Sequence, residues 1–183
     1  MIVGAAVCPG APLLIPGIAE SLARESAPLI AACVAATRSL AGADRIVVLA
    51  AGPRTIVFPA GTARCRAAGS PLGRSDAGRG ERGPALSVGT LVGQALLDRA
   101  FPDGRPGPVD LIETGDDPGA TVTAVRPGAR NRDGLLVIAD GAATHGDDAP
   151  GRRDDRGGPF DDALAAALAA GDPAALARAC AGG

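Results

Sequence analysis

The chain has 183 residues, room for one domain with a real core and too few for two independent ones. Hydrophobic residues make up 46% and charged residues 21%, which excludes a wholly disordered chain. The net charge is −2, every positive side chain is an arginine, and the aromatics are Phe58, Phe101 and Phe160 alone, so no nucleic-acid field, anionic-membrane surface or base-stacking platform is expected.

Ile2 to Val7 is an apolar run ended by Cys8-Pro9-Gly10, as in a buried strand entering a loop. Ser26 suits an N-cap with Pro28 in the first turn, and Leu29, Ile30, Cys33, Val34 and Thr37 then share one helical face up to the stop at Gly42. Arg45 to Ala51 is a second continuous apolar run, suited to a strand covered on both faces. A short extended segment is expected within residues 55–66. Residues 69–85 carry five glycines, three arginines and no periodicity, the composition of a flexible surface loop or lid.

Val88, Leu91, Val92, Ala95 and Leu96 repeat at helical spacing after Ser87, predicting a helix that ends near Phe101-Pro102. Val109 to Thr114 reads as a strand, Thr121 to Val125 as a weak extended segment, and Leu135 to Ala139 as a buried strand leading into Asp140-Gly141. Asp161 to Ala170 reads as a helix stopped by Gly171, and Asp172-Pro173 starts another. Strands alternating with helices predict a single α/β domain over 1–183, a three-layer α/β/α sandwich with a mostly parallel central sheet.

Cys8, Cys33, Cys65 and Cys180 show no C-x-x-C spacing, so neither a zinc site nor a disulfide framework is indicated, and a cytoplasmic chain with reduced thiols is expected. The opening residues lack a basic stretch and are broken by Pro9, Pro12 and Pro16, so neither a leader nor a membrane span is expected.

Open α/β sheets carry their sites beyond the carboxyl ends of the strands. After the first strand stands Gly10, with Cys8 beside it read as a buried, inert thiol. After the second stands Gly52-Pro53-Arg54, an anion-friendly turn without a phosphate-loop pattern. After Ala139 come Asp140, His145, Asp147 and Asp148, where a histidine among carboxylates reads either as a proton carrier or as a solvated side chain. The ligand-binding candidates are therefore Gly10, Arg54 and Asp140, and the catalytic candidate is His145.

The stretches AAVCPGAPLLIPGIA, DRIVVLAAGPRT, LSVGTLVGQALLDRA, ADGAATHGDDAPG and PFDDALAAALAAGDPAAL resemble a bacterial family related to the catalytic subunit of class III extradiol ring-cleavage dioxygenases. The resemblance implies an α/β/α sandwich. In active relatives it implies ferrous iron held by two histidines and a glutamate, with a further histidine as acid or base, and a catechol-like substrate. Here Gly10-Ala11-Pro12 replaces the opening histidine and its two prolines, no histidine follows the second strand, and relatives continue beyond the last helix to supply the glutamate. One histidine cannot make a two-histidine triad. The expectation is a degenerate, C-terminally incomplete member with no resident metal or cofactor, Fe(II) returning only if the chemistry survives. It would bind a small aromatic ligand, or act as a homo-oligomer or partner subunit. The alternative is an active metal-dependent oxidoreductase with a non-standard site around Asp140, His145, Asp147 and Asp148.

Overall fold

Apolar, β-branched runs form the sheet because both of its faces are offered for burial. In the computed structural model, which describes residues 1–18, 20–58, 86–125, 131–144 and 153–181, the strands are β1 (Ile2–Cys8), β2 (Arg45–Ala51), β3 (Ile56–Phe58), β4 (Val109–Thr114) and β5 (Asp133–Ile138). They lie in the order β1-β5-β2-β4-β3, all parallel except β3, which runs antiparallel to β4. The helices are α1 (Ala23–Arg38), α2 (Val88–Ala100), α3 (Pro118–Val125), α4 (Gly157–Ala170) and α5 (Pro173–Ala181). The chain gathers into two compact units, Met1–Ala139 and Asp140–Gly183.

In the first unit, side-chain alternation along each strand makes two faces. Ala6, Leu136, Val48 and Leu111 form one row across four strands and belong to the main core, with Leu40, Leu96 and Leu97 packed in the same cluster. The crossover from β1 to β2 through α1 steps across the sheet in one direction, whereas the crossover from β4 to β5 through α3 steps back in the other. Right-handed crossovers moving in opposite directions put their helices on opposite faces. The architecture is therefore α/β, a mostly parallel sheet flanked by helices as a three-layer sandwich.

Two glycines let α2 lie against the sheet. A Cβ at Gly93 would stand 2.5 Å from Val48 Cγ1, and one at Gly89 3.0 Å from Ala50 Cβ. At the amino end of the strands, on the other face, Arg45 bonds Asp133 at 2.9 Å and Asp110 at 3.0 Å, linking β5, β2 and β4. Asp133 is 1% exposed, so Arg45, bonded to its Oδ1, gives a partner to a buried charge that would otherwise oppose folding, while among the described residues its buried Oδ2 accepts no hydrogen bond.

Several boundaries differ from the expectations. Residues 121–125 are helical, because Asp117 Oδ1 accepts the amides of Gly119 and Ala120 ahead of Pro118-led α3. The threonines fit the helix by donating to carbonyls four residues back, Thr121 to Asp117 and Thr123 to Gly119. Ser26 is not the cap of α1: the helix begins at Ala23, and the Ser26 hydroxyl donates to the Leu22 carbonyl at 2.8 Å from within the first turns. Of residues 55–66, 56–58 are the extended part; residues 59–66 and the stretch 69–85 lie outside the described residues.

The second unit is built on α4 and α5, which pack together. Gly171 ends α4 with φ 62°, the left-handed conformation that favours glycine. Asp172 Oδ1 then accepts the amides of Ala174 and Ala175 at the start of α5. No helix among the described residues is long and apolar enough to cross a membrane.

The glycine contacts predict a ranking. Gly93→Ala should lower unfolding stability by about 1–3 kcal/mol despite the better helix propensity of alanine, and Gly89→Ala should lower it less, both measured by urea denaturation. A Gly93→Ala protein more stable than the parent would contradict this packing.

Candidate functional site

The last inward-facing row before the parallel strands end is Cys8, Ile138, Ala50 and Glu113. It closes the carboxyl end of the sheet, where α/β proteins place their ligands. The chain passes outward from β2 to β3, beyond β4, and back from β4 to β5, so the change in direction falls between β2 and β4. The segments that meet there are Gly52 to Thr55 and Thr114 to Asp117.

Glu113 organises this place. Its side chain is 2% exposed, and Oε1 accepts the Ser87 amide at 2.5 Å and the Thr90 hydroxyl at 3.0 Å. Thr90 spends its hydroxyl proton on Glu113, so in the 3.0 Å contact between the two hydroxyls Ser87 is the donor. Ser87 Oγ in turn accepts the Thr90 amide at 3.3 Å, capping α2. A carboxylate at a helix N-terminus also meets the positive end of the helix dipole. The loops fit closely around it: a Cβ at Gly52 would lie 2.7 Å from Glu113 Cβ, and one at Gly115 would lie 2.8 Å from Arg54 Cα. Gly52 donates to the Thr114 carbonyl at 3.0 Å, and Gly115 donates to Thr55 Oγ1 at 3.2 Å.

Sequence reasoning missed Glu113, although its signal was present. Val109, Leu111 and Glu113 share one side of β4, so an acidic residue occupies a core-facing position of an otherwise apolar row.

Gly10 lies half-buried in the loop after β1, and Arg54 is exposed just beyond β2. Asp140 is exposed and opens the second unit directly after β5. Topology thus brings Gly10, Arg54 and Glu113 to one end of one sheet, with β5 standing between the strands that lead to Gly10 and Arg54. His145, Asp147 and Asp148 lie outside the described residues.

Cys8 is 2% exposed, and burial, reinforced by Cys33, pushes its thiol up to about 12. A neutral thiol of this kind is neither a nucleophile nor a metal ligand near neutral pH. Among the described residues no group of three or more His, Cys, Asp or Glu side chains is placed to hold a metal ion. Within the second unit, Ala142, Thr144, Asp154, Arg156, Gly157 and Phe160 line a shallow cleft of about 270 Å³. Its charges are matched internally: Arg156 bonds Asp154 at 2.8 Å and holds that carboxyl down to about 2.

Compared with known proteins, the chain matches no family model, no curated protein and no solved structure.

Two outcomes follow. Glu113→Ala should cost about 2–4 kcal/mol, since it strands the Ser87 and Thr90 donors at a buried helix start; chemical denaturation measures it, and a loss below about half a kcal/mol would remove Glu113 from this role. Cys8 ionises near its ordinary 9.0 when unfolded and near 12 when folded, so its neutral form supports the fold fully below pH 9 and that support is lost as pH rises toward 12. Unfolding stability followed across about pH 8 to 11 should therefore fall less steeply in Cys8→Ala than in the parent, and equal slopes would contradict the assignment.

Proposed function

We propose that the chain is a catalytically degenerate relative of the catalytic subunit of class III extradiol dioxygenases, acting in the cytoplasm, which keeps the α/β frame and binds a small aromatic acid without cleaving its ring. The observation that carries the reading is the single histidine of the chain. A two-histidine, one-carboxylate iron site needs one imidazole more than a single copy possesses.

Among the described residues, the side chains at the carboxyl end of the sheet do not fit that iron either. Cys8 is held neutral, and Glu113 has one oxygen engaged by two donors from α2 and its cap. Gly10 and the Gly52-Pro53 turn offer no side-chain ligand.

What the residues support is binding. Arg54 presents a guanidinium at the switch point, whose planar donors suit a carboxylate or phenolate. Gly115 leaves room for the 54–55 backbone, and Thr55 is fixed by the Gly115 amide, so the segment that carries Arg54 is anchored on both sides. Glu113 acts beneath it as a positioning residue, tying β4 to α2.

The test is oxygen uptake with ferrous iron and 3,4-dihydroxybenzoate, alongside a melting assay with the same compound and no metal. No uptake above iron alone is expected, together with a rise in melting temperature that Arg54→Ala abolishes, since ligand at about 100 times its dissociation constant stabilises by roughly 2.7 kcal/mol. Turnover that disappears in His145→Ala would overturn this reading in favour of an active oxidoreductase site around Asp140 and His145.

A further inference from the structure

The sheet has two edges, and they are built differently. β3 is a three-residue antiparallel strand, whereas β1 has seven residues, no charge and no proline, and among the described residues pairs only with β5. Beyond the irregularity at Ile2/Gly4, Cys8 accepts from Ala139, so Gly4, Ala6 and Cys8 bond to β5 and the backbone groups of Ala5 and Val7 point away from it. Among the described residues no other group bonds to them. Val3 is 39% and Val7 41% exposed. Edge strands are ordinarily guarded by lysine, proline, bulges or brevity, and from Gly4 to Cys8 β1 has none of these; its one irregularity lies at Ile2/Gly4.

The helix beside this edge carries a matching surface. Arg38 Nε donates to the Ala100 carbonyl, which fixes the flank of α1 that faces α2. The opposite flank, by helical spacing, holds Leu22, Leu29, Ala32 and Ala36, with Leu22 44% and Leu29 39% exposed. No charged residue occurs from Ser26 to Thr37.

We propose that two copies of this chain pair through β1 and α1 about a two-fold axis normal to the sheet, joining their sheets into one. Such an axis runs β1 antiparallel to its mate and keeps both α1 helices on the same side. Centred on Ala6, it sets Ala5 against Val7 of the other copy, and each of these two outward-facing pairs exchanges two hydrogen bonds, about four in all.

The charges agree with this occupant. The strands bring none together, and the one acid on the α1 flank, Glu25, lies in the first turn of a 16-residue helix, so an antiparallel crossing holds the two copies of it at opposite ends. The lengths agree as well: seven strand residues at about 3.3 Å and sixteen helical residues at about 1.5 Å both span roughly 24 Å. Alanines at 32 and 36 allow the helices the approach of about 8–10 Å that packed helices take.

The pairing is independent of the small-molecule reading and is tested apart from it. Light scattering on the full chain, 17.8 kDa as a monomer, should give twice that mass at about 100 µM and a concentration-dependent fall on dilution. Val7→Lys at the strand and Ala32→Arg on the helix should each weaken association at least tenfold. Ala32→Arg replaces one good helix former by another at an exposed position, so its circular dichroism, and its melting at dilutions where both proteins are monomeric, should match the parent. Val57→Lys, on the exposed side of β3, should leave the dimer intact. A parent that is monomeric at that concentration, a dimer indifferent to both Val7→Lys and Ala32→Arg, or association with a different protein chain in place of a second copy would overturn the proposal.

Discussion

The fold turns on one buried carboxylate. Glu113 sits at the end of β4 and takes two donors from the start of α2, one from the backbone and one from Thr90. That bond pair fixes where α2 begins, and where α2 begins decides which residues of the helix meet the sheet. Gly89 and Gly93 then face Ala50 and Val48, and the approach they allow brings Val92, Leu96 and Leu97 into the core. A charge removed from water costs several kcal/mol unless its partners are in place. The junction therefore tolerates little rearrangement, and the loops that pass over it, through Gly52 and Gly115, are held in turn.

A second set of charges acts at the opposite end of the same strands. Arg45 joins Asp133 and Asp110 across β5, β2 and β4, and the bond from Asp133 raises the pKa of the guanidinium further. Register in a parallel sheet of small apolar residues is only loosely set by side-chain shape. A slip of one residue would reverse the inward and outward sets and separate these charges. Glu113 at the carboxyl end and Arg45 at the amino end thus hold the central strands in register, leaving the β2–β4 switch point as a rigid place from which Arg54 projects.

Much of this is legible in the sequence, and the reasons differ by element. β2 and β4 are readable to the residue because continuous β-branched runs have few alternatives, and α2 because its period and Ser87 cap agree. Residues 121–125 mislead because threonine and valine favour strands, while the deciding signal lies upstream in Asp117-Pro118, the same start that correctly marks α5 at Asp172-Pro173. Ser26 looks like a cap, but its hydroxyl bonds back within the helix. The strand-end rule leads to Gly10, Arg54 and Asp140. It does not lead to Glu113, because the rule points to loops, whereas the organising acid stands inside a strand.

The proposed loss of chemistry rests on subtraction and on geometry. On that proposal the chain would keep a place to bind while its one histidine, a neutral thiol and an engaged glutamate leave no standard iron site to activate oxygen. The most direct measurement is an anaerobic calorimetric titration of the purified full chain with ferrous iron, run in parallel on His145→Ala. No stoichiometric binding in the micromolar range is expected for either protein. Stoichiometric micromolar binding in the parent that is lost in His145→Ala would contradict the degenerate iron site.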